Sequence, residues 1–162
     1  MYITIEEYAD RYADIDPKIF NRLSARACRV IDRWTTGFDG TKKLQIAYPV
    51  APDAVEAVKS CAGALIRFFE QIEQAEASAS ARRILVETPE GYRGTVVSSV
   101  TSGTESVSYS GKNNTVQTSV DRAAEDVEYM DRFLRKTVQE YLSGVPDANG
   151  INLLYMGAYP HV

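Results

Sequence analysis

The chain has 162 residues, a formal net charge of −4 and 44% hydrophobic side chains. That is material for one hydrophobic core, which sets disorder aside and makes a general nucleic-acid binder a poor fit. Two cysteines and one histidine exclude a disulfide-rich scaffold, and any four-ligand zinc site built only from Cys and His of this chain.

Met1-Tyr-Ile-Thr-Ile-Glu-Glu7 lacks a basic stretch followed by an apolar run, so it does not read as a secretory signal. No stretch approaches the roughly 18 consecutive apolar residues of a membrane span, so an intracellular protein with reduced thiols at Cys28 and Cys61 is expected. Both cysteines sit among apolar residues and read as buried structural thiols.

Thr4-Ile-Glu-Glu7 fits a capping box ahead of a short helix to about Tyr12. Asp16-Pro17 marks a second start: Asp caps free amides, and Pro takes a first-turn position where its missing N–H costs nothing. Phe20, Leu23, Ala27, Val30, Ile31 and Trp34 then recur at helical spacing, predicting a helix to about Trp34. Residues 35–50 read as a loop. Pro52 opens a third helix, whose apolar stripe from Val55 through Leu65 to Ile72 predicts a span of roughly 52–76. Ala75 to Ala81 turns small and Ser-rich, reading as a frayed end or joint.

From Arg83 to about Ser110 the chain becomes β-branched and Ser-rich. Residues 96–101 and 104–109, with Ser102-Gly103 between them, predict a β-hairpin with too little apolar surface to stand alone. Thr118 and Asp121 resemble a cap for a fourth helix with Val127, Met130, Leu134, Val138 and Tyr141 on one face and Phe133 beside it. Gly144 and Pro146 stop it. Gly150-Ile-Asn-Leu-Leu-Tyr-Met-Gly157 is too apolar for a free tail and is expected to pack on the bundle or on a neighbour. The predicted fold is therefore mainly α: one domain over 1–162, a small bundle of about four helices, an inserted β-hairpin excursion at 78–118 and an extended apolar C-terminal tail at 145–162. Charge marks no boundary, because residues 1–81 hold 10 basic and 12 acidic side chains and 82–162 hold 8 and 10.

Catalytic signals are weak. His161 lies in a terminal segment with no partner to fix its tautomer. The carboxylate sets Asp10/Asp14/Asp16, Glu70/Glu73/Glu76 and Asp121/Glu125/Glu128 read as solvated or salt-bridged faces, and the first lacks the pattern of a calcium loop. Ser110-Gly-Lys-Asn113 lacks the spacing of a phosphate loop, and no Gly-x-Ser-x-Gly appears. No catalytic residue, metal site or cofactor is assigned, and the reading is non-enzymatic. One charge pattern stands out. Lys18, Arg22, Arg26, Arg29 and Arg33 form a basic stripe on the second helix, open to a paired face, a subunit interface or nucleic acid. The acidic stripe Asp121-Glu125-Glu128 could meet it within one chain or across a boundary.

The order of elements resembles the head–tail connector (adaptor) proteins of long-tailed bacteriophages and prophages. Three places carry the resemblance. They are Ile3-Thr-Ile-Glu-Glu-Tyr8 followed by Asp16-Pro17, the polar run from Val97 to Ser110 ahead of a helix, and Asn152-Leu-Leu-Tyr-Met-Gly157. The last is similar to the family's terminal Leu-Leu-Tyr-Arg-Gly, with Met156 where arginine is common. The resemblance implies a structural protein of the virion neck, made in the bacterial cytoplasm. It would form a ring, usually of about a dozen copies, beneath the portal protein, extend the DNA channel without binding DNA specifically and dock the next neck or tail protein. No membrane partner is implied. On this reading Val97, Val100, Val107 and Tyr109 pair with a neighbour or the portal, and Leu153, Leu154 and Tyr155 dock on an adjacent surface. Arg22, Arg26 and Arg29 would meet Asp121, Glu125 and Glu128 as inter-subunit ion pairs. The alternatives are another neck or tail-completion protein, or a small helical nucleic-acid-binding module using the basic stripe.

Overall fold

A computed structural model of the chain describes residues 1–81, 119–157 and 159, with the strand backbones of 83–88, 91–96, 99–102 and 105–108. Of residues 78–81, Ser119, Asp121 and Glu125 only the backbone is described. The protein is mainly α. The elements are α1 (Ile5–Ala9), α2 (Pro17–Thr35), α3 (Lys43–Ile46), α4 (Pro52–Ala81), β1 (Arg83–Thr88), β2 (Gly91–Val96), β3 (Ser99–Ser102), β4 (Glu105–Ser108), α5 (Ser119–Glu125) and α6 (Val127–Leu142).

The first two helices begin where side chains satisfy free amides. The Thr4 hydroxyl accepts from the Glu7 amide at 3.3 Å while the Glu7 carboxylate accepts from the Thr4 amide at 2.9 Å. α1 is shorter than expected, closing at Ala9 rather than near Tyr12. Tyr12 instead lies on α4, so close that a Cβ on Gly63 would sit 2.8 Å from its ring. Asp16 caps α2 through the amides of Lys18 and Ile19 at 2.8 and 3.3 Å. Asp16→Ala is expected to cost about 1 kcal/mol of stability, read as a lower denaturant midpoint.

α4 is the central helix. It packs against α2 on one side and against α5 and α6 on another. Val58, Cys61, Leu65, Ile66, Phe69 and Ile72 are all buried, a wider apolar arc than a surface helix shows. Burial pushes the Cys61 thiol up to about 12, and the half-buried Cys28 thiol is raised for the same reason. The stretch expected to fray, Ala75–Ala81, stays helical. Alanine is the strongest helix former, and nothing there is Gly or Pro to stop the ladder.

The fourth predicted helix is two. Asp126 leaves the helical conformation and caps α6 by accepting from the Tyr129 amide at 3.0 Å. The buried face of α6 is Leu134, Val138 and Leu142, with Phe133 stacked on Phe68 at 4.2 Å between centroids. Val127, expected in that face, is 80% exposed, and Tyr141 also reaches solvent. The break at Asp126 restarts the helix, and the stripe that meets α4 takes Leu142 in place of Tyr141.

One hairpin is expected between α4 and α5. The backbone runs as two short antiparallel ladders, β1 with β2 and β3 with β4, the second aligning Val100 with Val107. The side chains of Val97, Val100, Val107 and Tyr109 lie outside the described residues.

A surface ion pair, Glu7 with Lys59, joins α1 to α4. The Lys59 ammonium beside Glu7 holds that carboxyl below the usual carboxylate range, helped by the Thr4 amide. A depressed acid pKa adds stability that is complete above the ordinary carboxylate value and disappears as pH falls through the depressed one. Glu7→Gln should therefore flatten part of the acid-side loss of stability, measured by urea unfolding from about pH 7 to about pH 3. A mutant profile as steep as wild type would show that this pair contributes nothing.

Candidate functional site

The two ends of α2 differ sharply. Its C-terminal end carries the loop 36–42, α3 and the segment 143–159, and these build a single platform. Thr36 bridges to Lys42, and the Asp39 carboxylate accepts from the Tyr159 amide at 3.2 Å. Gly37 allows that closeness, since a Cβ there would stand 2.8 Å from the Asp39 side chain and 3.4 Å from the Gly157 carbonyl.

The 143–157 segment is not extended. Gly144, at φ 76°, ends α6, and Gly150, at φ 78°, turns the chain back. Leu153 donates its amide to the Val145 carbonyl at 2.9 Å, and Asp147 to that of Ile151 at 2.8 Å. The buried Asp147 carboxylate accepts from the amides of Asn149 and Ile151 and from the Tyr159 hydroxyl. Each turn thus satisfies its own polar groups, as burial requires.

Lys43 ties this segment to α3. It is fully buried, and its ammonium donates to the carbonyls of Asn152 at 3.4 Å, Leu153 at 3.0 Å and Tyr155. Burial pulls its pKa below the usual lysine range, opposed by the charges of Asp147 and Asp39. Three acceptors for three N–H groups are what makes a buried ammonium tolerable. The sequence reading gives Lys43 no role, because its partners are backbone carbonyls that any residue would supply.

The platform presents apolar side chains outward. Phe38 is 89% exposed, Ile46 66%, Met156 58% and Tyr155 51%, and Val50, just after α3, is 77% exposed. Beside them is a cleft of about 100 Å³ lined by Trp34, Arg135, Gln139, Leu154 and Met156. The guanidinium carbons of Arg33 and Arg135 stand 5.1 and 5.4 Å from the centre of the Trp34 ring.

The residues singled out from sequence divide. Tyr155 is available at the surface, and Leu154 is half-buried. Leu153 is wholly buried in its own chain and cannot dock on another surface in this state. Arg22 pairs with Glu73 at 2.5 Å, and Arg33 with Asp131 at 2.9 Å. Arg26 lies 4.0 Å over the Phe69 ring. Arg29 and Glu128 are exposed. Within the chain, two members of the basic stripe thus pair with Glu73 and Asp131. The side chains of Asp121 and Glu125 lie outside the description.

Among the described residues no helix is long and apolar enough to cross a membrane, and no three His, Cys, Asp or Glu side chains gather where they could hold a metal. No family model, curated protein or solved structure matches the chain.

Proposed function

We propose that the protein is a structural part of the neck of a long-tailed bacteriophage or prophage, made in the host cytoplasm. It would assemble as a ring between the portal of the filled head and the tail. The observation that carries this reading is the apolar platform at the C-terminal end of α2. The buried Lys43 and Asp147 fix the segment that bears exposed Tyr155 and Met156, and Phe38 and Ile46 are exposed on the loop and α3 that this segment packs with. Large apolar side chains gathered on a fixed surface mark a place where another chain is meant to sit. The strands between α4 and α5 would supply a further contact, with Val97, Val100, Val107 and Tyr109 against a neighbour or the portal.

Light scattering over a concentration series, with negative-stain imaging, tests the reading. Rings are expected from the protein alone or once the portal is added. A protein that stays monomeric in both conditions would overturn it.

DNA is expected to slide past without sticking. Arg22 and Arg33 are paired, and Arg26 is stacked on Phe69, which leaves little of the basic stripe for phosphates. No salt-sensitive binding of duplex DNA should be detectable at low salt. Strong binding that reversal of Arg22, Arg26 and Arg29 abolishes would instead favour a nucleic-acid-binding module.

A further inference from the structure

We propose that copies join head to tail, the acidic corner before α2 of one copy seating on the Trp34 cleft at the far end of α2 in the next. This rests on the ring reading and names the contact that would build it.

The two surfaces cannot meet within one chain. α2 has 19 residues, a rod of about 28 Å, and they lie at its opposite ends. At the N-terminal end, exposed Asp10, Asp14 and Asp16 stand close together in sequence with the partly exposed Ile19. Of the two basic side chains nearby, Arg11 is bound to Glu56 at 2.7 Å and only Lys18 is uncommitted. That corner is net acidic, with an aliphatic side chain 39% exposed beside it.

At the C-terminal end the signs reverse. Exposed Arg33 and Arg135 flank the Trp34 ring, and Asp131 answers only Arg33. Between Arg135 and Met156 the cleft of about 100 Å³ has the size for one aliphatic side chain such as Ile19. The guanidinium groups at its rim fit the corner's carboxylates. Complementary charge at two separate surfaces of one molecule gives a heterologous contact, which closes into a ring when the rotation per copy allows.

The full chain tests this by sedimentation across a concentration series, with Trp34 emission followed in the same samples. Trp34 is the sole tryptophan, so its signal reports the cleft alone. Where association needs the portal, the same comparison is made on the portal. Wild type should shift its emission to the blue as copies associate. Asp14→Arg and Arg135→Glu should each weaken association by about tenfold or more. Mixing the two variants should restore it, since each supplies the charge that the other now lacks. Both positions are exposed, and circular dichroism checks that each variant is folded. Assembly with constant Trp34 emission, assembly untouched by either reversal, or a mixture that stays dissociated would overturn this interface and leave the ring reading standing. A wild type monomeric at every concentration, with and without portal, would overturn both.

Discussion

Lys43→Met is expected to release the 150–157 segment while the helices stay folded. Methionine fills much of the volume of the lysine stem but has no donor, so the carbonyls of Asn152, Leu153 and Tyr155 lose their shared partner. A buried acceptor without a donor costs about 1–3 kcal/mol, and part of that is recovered because the ammonium no longer has to be desolvated. A net loss of about 2–4 kcal/mol of local stability follows, because carbonyls freed by opening are rehydrated. Amide exchange at Asp147 and Leu153, both hydrogen-bonded inside the segment, should then accelerate by about 30- to 1000-fold, with amides in the middle of α4 changed much less. Lys43→Arg should not rescue the segment. A planar guanidinium cannot direct its donors as a compact ammonium does, and it is larger than the space. Unchanged exchange in Lys43→Met would show that Leu153 packing alone holds the segment.

Phe69→Ala should destabilise the whole domain by about 3–5 kcal/mol, read as a lower urea midpoint with an unchanged slope. Phe69 is fully buried on α4, with the Phe68 ring 6.0 Å away and the Arg26 guanidinium 4.0 Å over its face. Truncation opens a cavity that rigid neighbours on α2 and α6 cannot close, and it strands Arg26 without its ring. A small domain has about 5–15 kcal/mol in all, so this one change removes a large share. Phe38→Ala is the matching control. At 89% exposure it should alter stability by less than about 0.5 kcal/mol, while weakening assembly if the platform docks another chain. Comparable destabilisation by the two would contradict the division between core and platform.

The elements that could be read from sequence are those written in short-range chemistry. Thr4 with Glu7, and Asp16 with Pro17, are signals within four residues, and both helices start where those signals lie. The α4 stripe repeats over five turns and needs no knowledge of what it packs against. The features that stayed unread share a cause: each depends on a partner distant in sequence. The basic stripe on α2 defines a face but not which carboxylate answers each charge, and nothing local points Arg22 to Glu73 or Arg33 to Asp131. Asp126 sits inside a plausible helical pattern, and its capping bond competes with that pattern only once α5 has turned away. Phe38 and Val50 lie outside the helices and Ile46 ends the single turn of α3, so these apolar residues have no period to betray their exposure. Lys43 is the extreme case, a charged residue whose burial is decided by carbonyl groups at the other end of the chain.

That last feature sets an order of events during synthesis. The acceptors of Lys43 lie 109, 110 and 112 residues downstream of it. While the ribosome is still making α4, α5 and α6, Lys43 has no carbonyl partners, and its ammonium is free to keep its water. The platform can close only after residue 155 has emerged, by which time the helices that support it are complete. A chain stalled or clipped before that point would lack Tyr155 and Met156 and would leave α3 uncovered. It would hold an α-helical body but present no finished end to a neighbour. Closure of the platform is thereby timed to the emergence of residue 155, after the helices beneath it.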